Sequence, residues 1–305
     1  MSERDSSVCA VVVTHNPDAV ALAQTVRAVA RQAERIAVVD NASRPELLSA
    51  IRTLAAETGA AVIASASNRG VGWGHNAGIA WAREQDVRYV LLLDQDSTAT
   101  PGMVAALKAA YEKLAGHERV AAVGPCAVDV HDGVAAPFVR LGFPLNRKYR
   151  CSEAGEHVRA DFLITSGTLV PLAILDDIGA MDERLFIDNV DMEWCFRARH
   201  RGYALFGVCH ARLLHRLGEG RLRLGRALAR GIAVHPPLRL YYMMRNRILL
   251  YRRRHTPLVW ILQDVIRLPV KILIFALLIP PRLTNLYFMG KGLWHGMRRQ
   301  DGTYE

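Results

Sequence analysis

Tyr89-Val90-Leu91-Leu92-Leu93-Asp94-Gln95-Asp96-Ser97 constrains the fold more than any other stretch of the chain. An apolar run with no polar alternation suits a strand covered on both faces, as in the interior of a parallel sheet. The run ends in two carboxylates one residue apart. In open α/β sheets ligands collect at the carboxyl ends of strands, and two acids there suit a hard divalent cation bound with a diphosphate. Asp-x-Asp also serves as an ordinary turn or cap, and Ser97, Thr98 and Pro101 read as the start of a helix.

The design recurs. Val8-Cys9-Ala10-Val11-Val12-Val13-Thr14 is a buried strand, and His15-Asn16-Pro17-Asp18 opens a helix to about Gln32. Ile36-Ala37-Val38-Val39 ends in Asp40-Asn41-Ala42-Ser43, Pro45 starts a helix that stops at Gly59, and Ala61-Val62-Ile63-Ala64 is a third strand. Alternating units of this kind give right-handed βαβ crossovers and a parallel sheet. Thr14/Asn16, Asp40 and Asp94/Asp96 then share one edge. A carboxylate at Asp40 can accept the N3–H of uracil or thymine; its alternative role is a turn or cap aspartate.

Asn68-Arg69-Gly70-Val71-Gly72-Trp73-Gly74-His75-Asn76-Ala77-Gly78 follows the third strand. Closely spaced glycines before a helix let backbone approach a phosphate or ribose. The alternative is a plain connecting loop. The spacing lacks the G-x-G-x-x-G register and follows the wrong strand for a dinucleotide fold.

Further strands are expected over Val120 to Val128 and Phe162 to Pro171, with residues 129–160 an irregular acceptor-side loop. Asp188, Asp191 and Glu193 cluster beside apolar residues at the start of a helix reaching about Arg201. A carboxylate there can be desolvated into a better base, or can simply cap the helix. His215, just beyond another short strand, suits a further metal ligand as well as a structural role.

The ordered motifs resemble glycosyltransferase family 2. They are Val11-Val12-Val13-Thr14-His15-Asn16, Val38-Val39-Asp40-Asn41-Ala42-Ser43, Asn68-x-Gly70 with Asn76-x-Gly78, Asp94-Gln95-Asp96, Ser166-Gly167, Ile178-Gly179-x-Met181-Asp182-Glu183 and Asp191-x-Glu193-Trp194-x-x-Arg197. Leu93-Asp94-Gln95-Asp96-Ser97 and Phe186-Ile187-Asp188-x-Val190-Asp191-x-Glu193-Trp194-Cys195 resemble the forms found in bacterial dTDP-rhamnosyltransferases.

The resemblance implies a GT-A type, mostly parallel sheet flanked by helices, inverting sugar transfer, and Mg²⁺ or Mn²⁺ as cofactor. It implies that Thr14, Asn16 and Asp40 hold pyrimidine and ribose, and that Asn68, Gly70 and Asn76 line the nucleotide sugar. Asp94 would contact ribose or metal, with Gln95 among the donor-binding residues. Asp96 would bind the metal, His215 would approach metal or diphosphate, and Asp191 matches the general base. Many family members carry Glu-Asp where this chain has Val190-Asp191, so Asp188 stands as the other candidate base. The implied donor is a nucleotide sugar, with dTDP-L-rhamnose favoured over a UDP-hexose, and the acceptor a cell-surface or lipid-linked glycan.

Charge divides the chain. Residues 1–211 carry 21 Lys and Arg against 25 Asp and Glu, whereas residues 212–305 carry 18 against 4. Residues 1–235 are therefore expected to form the transferase domain, and 236–305 a basic, apolar helical extension. Val259 to Ile279 is apolar but interrupted by Gln263, Asp264, Arg267, Pro269 and Lys271, a poor match to the ~20 predominantly apolar residues of a membrane span. It suits helices in a membrane interface, with arginines on lipid phosphates, or helices packed on the catalytic domain as ordinary core. The five cysteines form no C-x-x-C pair, which points to a reducing compartment and away from structural zinc. No apolar segment precedes the first strand, so no signal peptide is expected. Together these place the chain in the cytoplasm, peripheral on the inner membrane.

Other classes fit less well. A nucleotidyltransferase would want a glycine-rich basic signature after the first strand, where His15-Asn16-Pro17-Asp18 stands. No zinc-finger or RNA-recognition signature accompanies the basic region, so no nucleic-acid partner is expected. Intact acids at Asp94, Asp96 and Asp191 speak against a catalytically silent membrane scaffold.

Overall fold

The computed structural model describes residues 7–130, 132–153, 155–215, 221–222 and 232–304. Its centre is a nine-stranded sheet. Strands β1 (Val8–Thr14), β2 (Arg35–Asp40), β3 (Ala61–Ala64) and β4 (Tyr89–Asp94) pair in parallel in the order β3-β2-β1-β4. Helices α1 (Ala19–Ala30), α2 (Pro45–Thr58) and α3 (Val71–Arg83) make the crossovers. The sequence signals hold locally. The Asp18 side chain accepts from the Ala21 N–H at 2.9 Å to cap α1, Pro45 opens α2, and Gly59 closes it at φ +69°. Every residue of β1 is buried.

The sheet's second half departs from the sequence reading. Ser97–Ala99 does not begin a helix. It is a short strand, β5, and the helix α4 starts later, at Met103, and runs to Ala115. Strand β6 (Val120–Asp129) follows. The supposedly irregular region 129–160 holds a hairpin of β7 (Phe138–Arg140) and β8 (Arg147–Tyr149), then β9 (His157–Ala160). The expected strand from Phe162 shrinks to β10 (Thr168–Pro171), antiparallel between β4 and β6. Its neighbour α5 spans Leu172–Ile178, and α6 spans Val190–His200.

Strand β11 is long, Ala204–His215, so His215 ends an extended strand and does not sit beyond a short one. It pairs in parallel with β6 and antiparallel with β5 and β9. Arg216–Glu219, read together with His215, lie outside the described residues. Six of the nine strands run in one direction, which is the mostly parallel sheet expected.

The glycine-rich stretch is also reassigned. Only Gly70, at φ +86°, precedes α3; Gly72, Gly74 and Gly78 lie inside the helix. A Cβ on Gly74 would meet the Val13 side chain and one on Gly78 that of Val11. These glycines let α3 lie close on β1. The cysteine reading changes too. Cys151 and Cys209, 58 residues apart, form a disulfide with a Cα–Cα separation of 5.2 Å. The pairing of β9 with β11 brings them together, and no local spacing shows that.

Three helices complete the structure: α7 (Pro237–Tyr251), α8 (Leu258–Leu277) and α9 (Arg282–Met297). α9 packs closely on α7, where a Cβ on Gly292 would meet the Tyr241 carbonyl and one on Gly296 the side chain of Ile248. Several arginines of this region turn inward. Arg245 is fully buried, Arg239 pairs with Asp188, Arg247 with Asp264 and Arg253 with Asp182. Among the described residues no helix is long and apolar enough to cross a membrane.

Candidate active site

The carboxyl ends of β1, β2 and β4 meet as the apolar runs require. Gln95 ties two of them: its Oε1 accepts from Thr14 Oγ1 at 3.0 Å and from the His15 N–H at 2.8 Å. Asn16 accepts from the Arg44 N–H at 3.0 Å through its side-chain oxygen, and its own N–H donates to Ser43 Oγ at 2.7 Å. Asp40 is fully buried. Its Oδ2 accepts from the Ser43 N–H at 3.0 Å, while its Oδ1 has no hydrogen-bond partner among the described residues. A buried carboxylate oxygen left open wants a donor.

Asn41, next to Asp40, holds the following loop. Its side chain accepts from the Arg69 N–H at 2.8 Å and donates to the Gly70 carbonyl at 3.0 Å. Asn68 accepts from the Gly70 N–H at 3.0 Å, shaping the turn. Gly70 abuts Phe186, whose carbonyl accepts from the Val71 N–H at 2.7 Å. Asn76 uses both ends of its amide on one loop, accepting from Met181 N–H and donating to the Met181 carbonyl and Glu183 Oε1 at 2.8–2.9 Å.

Around Asp94 and Asp96 the unexpected strand β5 is the organising device. Its pairing with β11 sets Ser97 opposite His215. Ser97 Oγ lies 2.6 Å from His215 Nδ1 and 2.6 Å from Ser166 Oγ, which accepts from the Asp94 N–H at 3.1 Å. His215 Nδ1 is 3.9 Å from Asp96 Oδ1. Burial pushes the Asp94 carboxyl up; His215 opposes this, Asp96 adds to it, and Arg239 opposes it. Asp96 and His215 thus face one another, with Asp94 in their electrostatic reach. No group of three His, Cys, Asp or Glu ligands is assembled among the described residues. Such a donor set fits an ion of the Mg²⁺ kind, which retains water and substrate phosphate oxygens in its shell.

Asp191 sits in the first turn of α6, where the helix terminus favours an anion. Burial wins over that effect and pushes its carboxyl up to about 6; the Met192 N–H opposes this, and the charges of Asp188 and Asp94 add to it. The charge of Asp94 reaches Asp191, so the end of β4 and the start of α6 lie near one another. The loop leading to Asp191 is strained, with Phe186, Asp188 and Asn189 all at φ 63–65°. Support for it comes from α7. The buried amide nitrogen of Asn246 lies 2.7–2.9 Å from the carbonyls of Leu185, Ile187 and Asp188. Arg245 reaches the Arg184 and Leu185 carbonyls, Phe186 stacks on Tyr242 at 4.7 Å, and Arg239 forks onto both oxygens of Asp188.

Glu193, the third acid of the cluster, is buried. Burial alone would raise its carboxyl, but His255 and Arg197 hold it below the usual carboxylate range. Its neighbours mark it as a structural ion pair.

Residues 9–141 match the family model Glycosyl transferase family 2. The chain is a glycosyltransferase, similar to family 2 over those residues. The transferase is 27% identical over 263 residues to the dTDP-rhamnosyl transferase RfbF of Shigella flexneri, covering 86% of each chain. Among solved structures it is similar to GalNAc-T7 with UDP, GalNAc and Mn²⁺, with TM-score 0.62 and 16% identity, covering 97% of this chain and 57% of that one. It is also similar to residues 1–349 of S. aureus TarS in complex with UDP, with TM-score 0.54 and 13% identity, covering 96% and 92%. The transferase therefore spans just over half the length of the first of these structures. At such identities the likeness is one of fold, and the fold is GT-A-like.

Ser97, Ser166, Arg239 and Asn246 of the transferase went unassigned in the sequence. Ser166 lies within a recognised motif, but nothing local marks Arg239 or Asn246.

Proposed function

We propose that the transferase moves L-rhamnose from dTDP-L-rhamnose to a hydroxyl of a glycan acceptor, with inversion at the anomeric carbon. The observation that carries this reading is Asp191, a carboxyl in the first turn of α6 that burial and the charges of Asp188 and Asp94 raise to about 6. A base titrating near the working pH combines sufficient ionisation with real proton affinity. Asp191 takes the acceptor hydroxyl's proton as that oxygen attacks the anomeric carbon opposite the leaving diphosphate. Asp188 is held by Arg239 and serves to set the loop.

Asp40 accepts the N3–H of the pyrimidine through its open Oδ1, and Thr14, Asn16 and Gln95 frame base and ribose. Asn68 and Gly70 shape the floor of the donor site, and Asn76 fixes the loop across from it. Bound Mg²⁺ or Mn²⁺ would neutralise charge on the nucleoside diphosphate, and Asp96 and His215, with Asp94 nearby, would hold it.

Asp40 would accept from uracil as readily as from thymine, so a UDP-hexose is the second reading. UDP in the GalNAc-T7 and TarS structures favours considering it. The RfbF likeness supports rhamnose. Calorimetric titration with dTDP-L-rhamnose and a set of UDP-sugars, with and without Mn²⁺, decides between them. Metal-dependent binding confined to dTDP-L-rhamnose is the expected result. Preference for a UDP-sugar would remove rhamnose and leave the base and the fold in place.

A further inference from the structure

Helix α8 carries apolar residues on two sides. Its inner side is committed to the protein: Trp260 and Phe275 are buried, Gln263 donates to the carbonyls of Gly142 and Pro144, and Asp264 pairs with Arg247 and accepts from Tyr251 Oη at 2.6 Å. A second set of apolar residues faces outward. Leu262, Val265, Ile266, Val270, Leu273 and Leu277 recur at spacings of three and four and are 46–66% exposed. A surface helix in water shows the reverse pattern. A continuous apolar stripe of this kind marks an interaction face.

Two neighbouring features extend the stripe. Gln263 ties α8 to the tip of the β7–β8 hairpin, where Phe143 and Leu145 are 67% and 73% exposed. The stems of that hairpin carry exposed Arg140, Arg147 and Lys148. The turn into α9 adds Leu283, 84% exposed, beside exposed Arg282.

We propose that the outward face of α8 and the hairpin tip 142–145 lie in the interface of an anionic membrane. The charge pattern selects this occupant over another protein. Apolar groups project at the tip and along the helix while cations stand behind them, as acyl chains and lipid phosphates require. Arg267, exposed at the edge of the stripe, has a stem long enough to return its guanidinium to the phosphate level. The helix lies in the surface and does not span it, since its inner face is committed to protein.

Vesicle sedimentation of the full chain tests the proposal without involving any sugar, so its failure would leave the proposed transfer reaction standing. The protein should pellet with vesicles of phosphatidylcholine and phosphatidylglycerol, and far less with phosphatidylcholine alone. Ile266→Glu combined with Leu273→Glu, and separately Phe143→Asp, should each weaken binding by about tenfold or more at unchanged thermal stability. All three positions are exposed, so the variants keep their core. Arg147→Glu with Lys148→Glu should remove the preference for the anionic lipid. Unaltered pelleting of the apolar variants would overturn the proposal. So would conversion of an oligomer to a monomer by Ile266→Glu and Leu273→Glu with vesicle binding intact, which would make this face a contact between copies.

Discussion

The sheet edge and the loop of the proposed base solve the same problem, holding polar groups in place, by opposite means. At the sheet edge, Thr14, Asp40 and Asp94 end adjacent hydrogen-bonded strands, and register fixes their spacing: Thr14 stands opposite Asp40, and Val13 opposite Asp94. The loop at 185–189 has no ladder. Three of its residues adopt left-handed backbone, and a buried asparagine 58 residues downstream of Asp188 satisfies its carbonyls. Precision at the edge is inherited from the sheet, while precision at the loop depends on a remote helix. The edge should therefore tolerate damage to α7, and the loop should not.

The sharpest way to separate the two is to remove the proposed base. Asp191→Asn should lower turnover by at least ~10² while donor affinity stays within about twofold, measured by transfer assay and calorimetry. Turnover near that of the unmodified enzyme would show that the proton leaves by another route. Next in size is Asn246→Ala. It strips partners from buried carbonyls, at about 1–3 kcal/mol for an unsatisfied group. It should depress turnover at saturating donor about tenfold or more and lower the melting temperature, with nucleotide affinity held. Equal loss of nucleotide affinity would erase the contrast between loop and edge.

Asp40→Asn is the mirror experiment. Replacing the acceptor with an amide should weaken nucleotide binding about tenfold, the scale of one charge-assisted hydrogen bond, and leave turnover at saturating donor nearly unchanged. The smallest effect is a dependence on pH. Turnover should rise as pH increases through about 6, where Asp191 ionises. Its raised carboxyl also works against stability. Ionisation in the folded state is disfavoured, so the penalty is full above about 6 and fades as pH falls toward the ordinary carboxylate range. Asp191→Asn should accordingly melt higher than the unmodified protein at neutral pH, with the gap closing in acid.

The same contrast explains what could be read in advance. β1, β2 and β4 announce themselves as apolar runs, and their last residues follow from strand periodicity, so Thr14, Asp40 and Asp94 were legible. Asp191 was legible as an acid at an apolar helix start. β5 was not, because Ser97-Thr98-Ala99 is too short to display a period and is defined by its pairing with β11. The glycines of α3 misled because small residues serve close packing and phosphate approach alike. Only the Val11 and Val13 side chains beneath them decide the matter. Arg239, Asn246 and the Cys151–Cys209 bridge depend on contacts across more than fifty residues, which no local pattern encodes.

The support from α7 also sets an order of events during synthesis. At roughly 5–20 residues per second, Asn246 leaves the ribosome about 3 to 12 seconds after Asp188. The strands that form the nucleotide edge have all been made by then. On the proposed reading, the whole nucleotide edge is thus made before the helix that holds the base loop arrives.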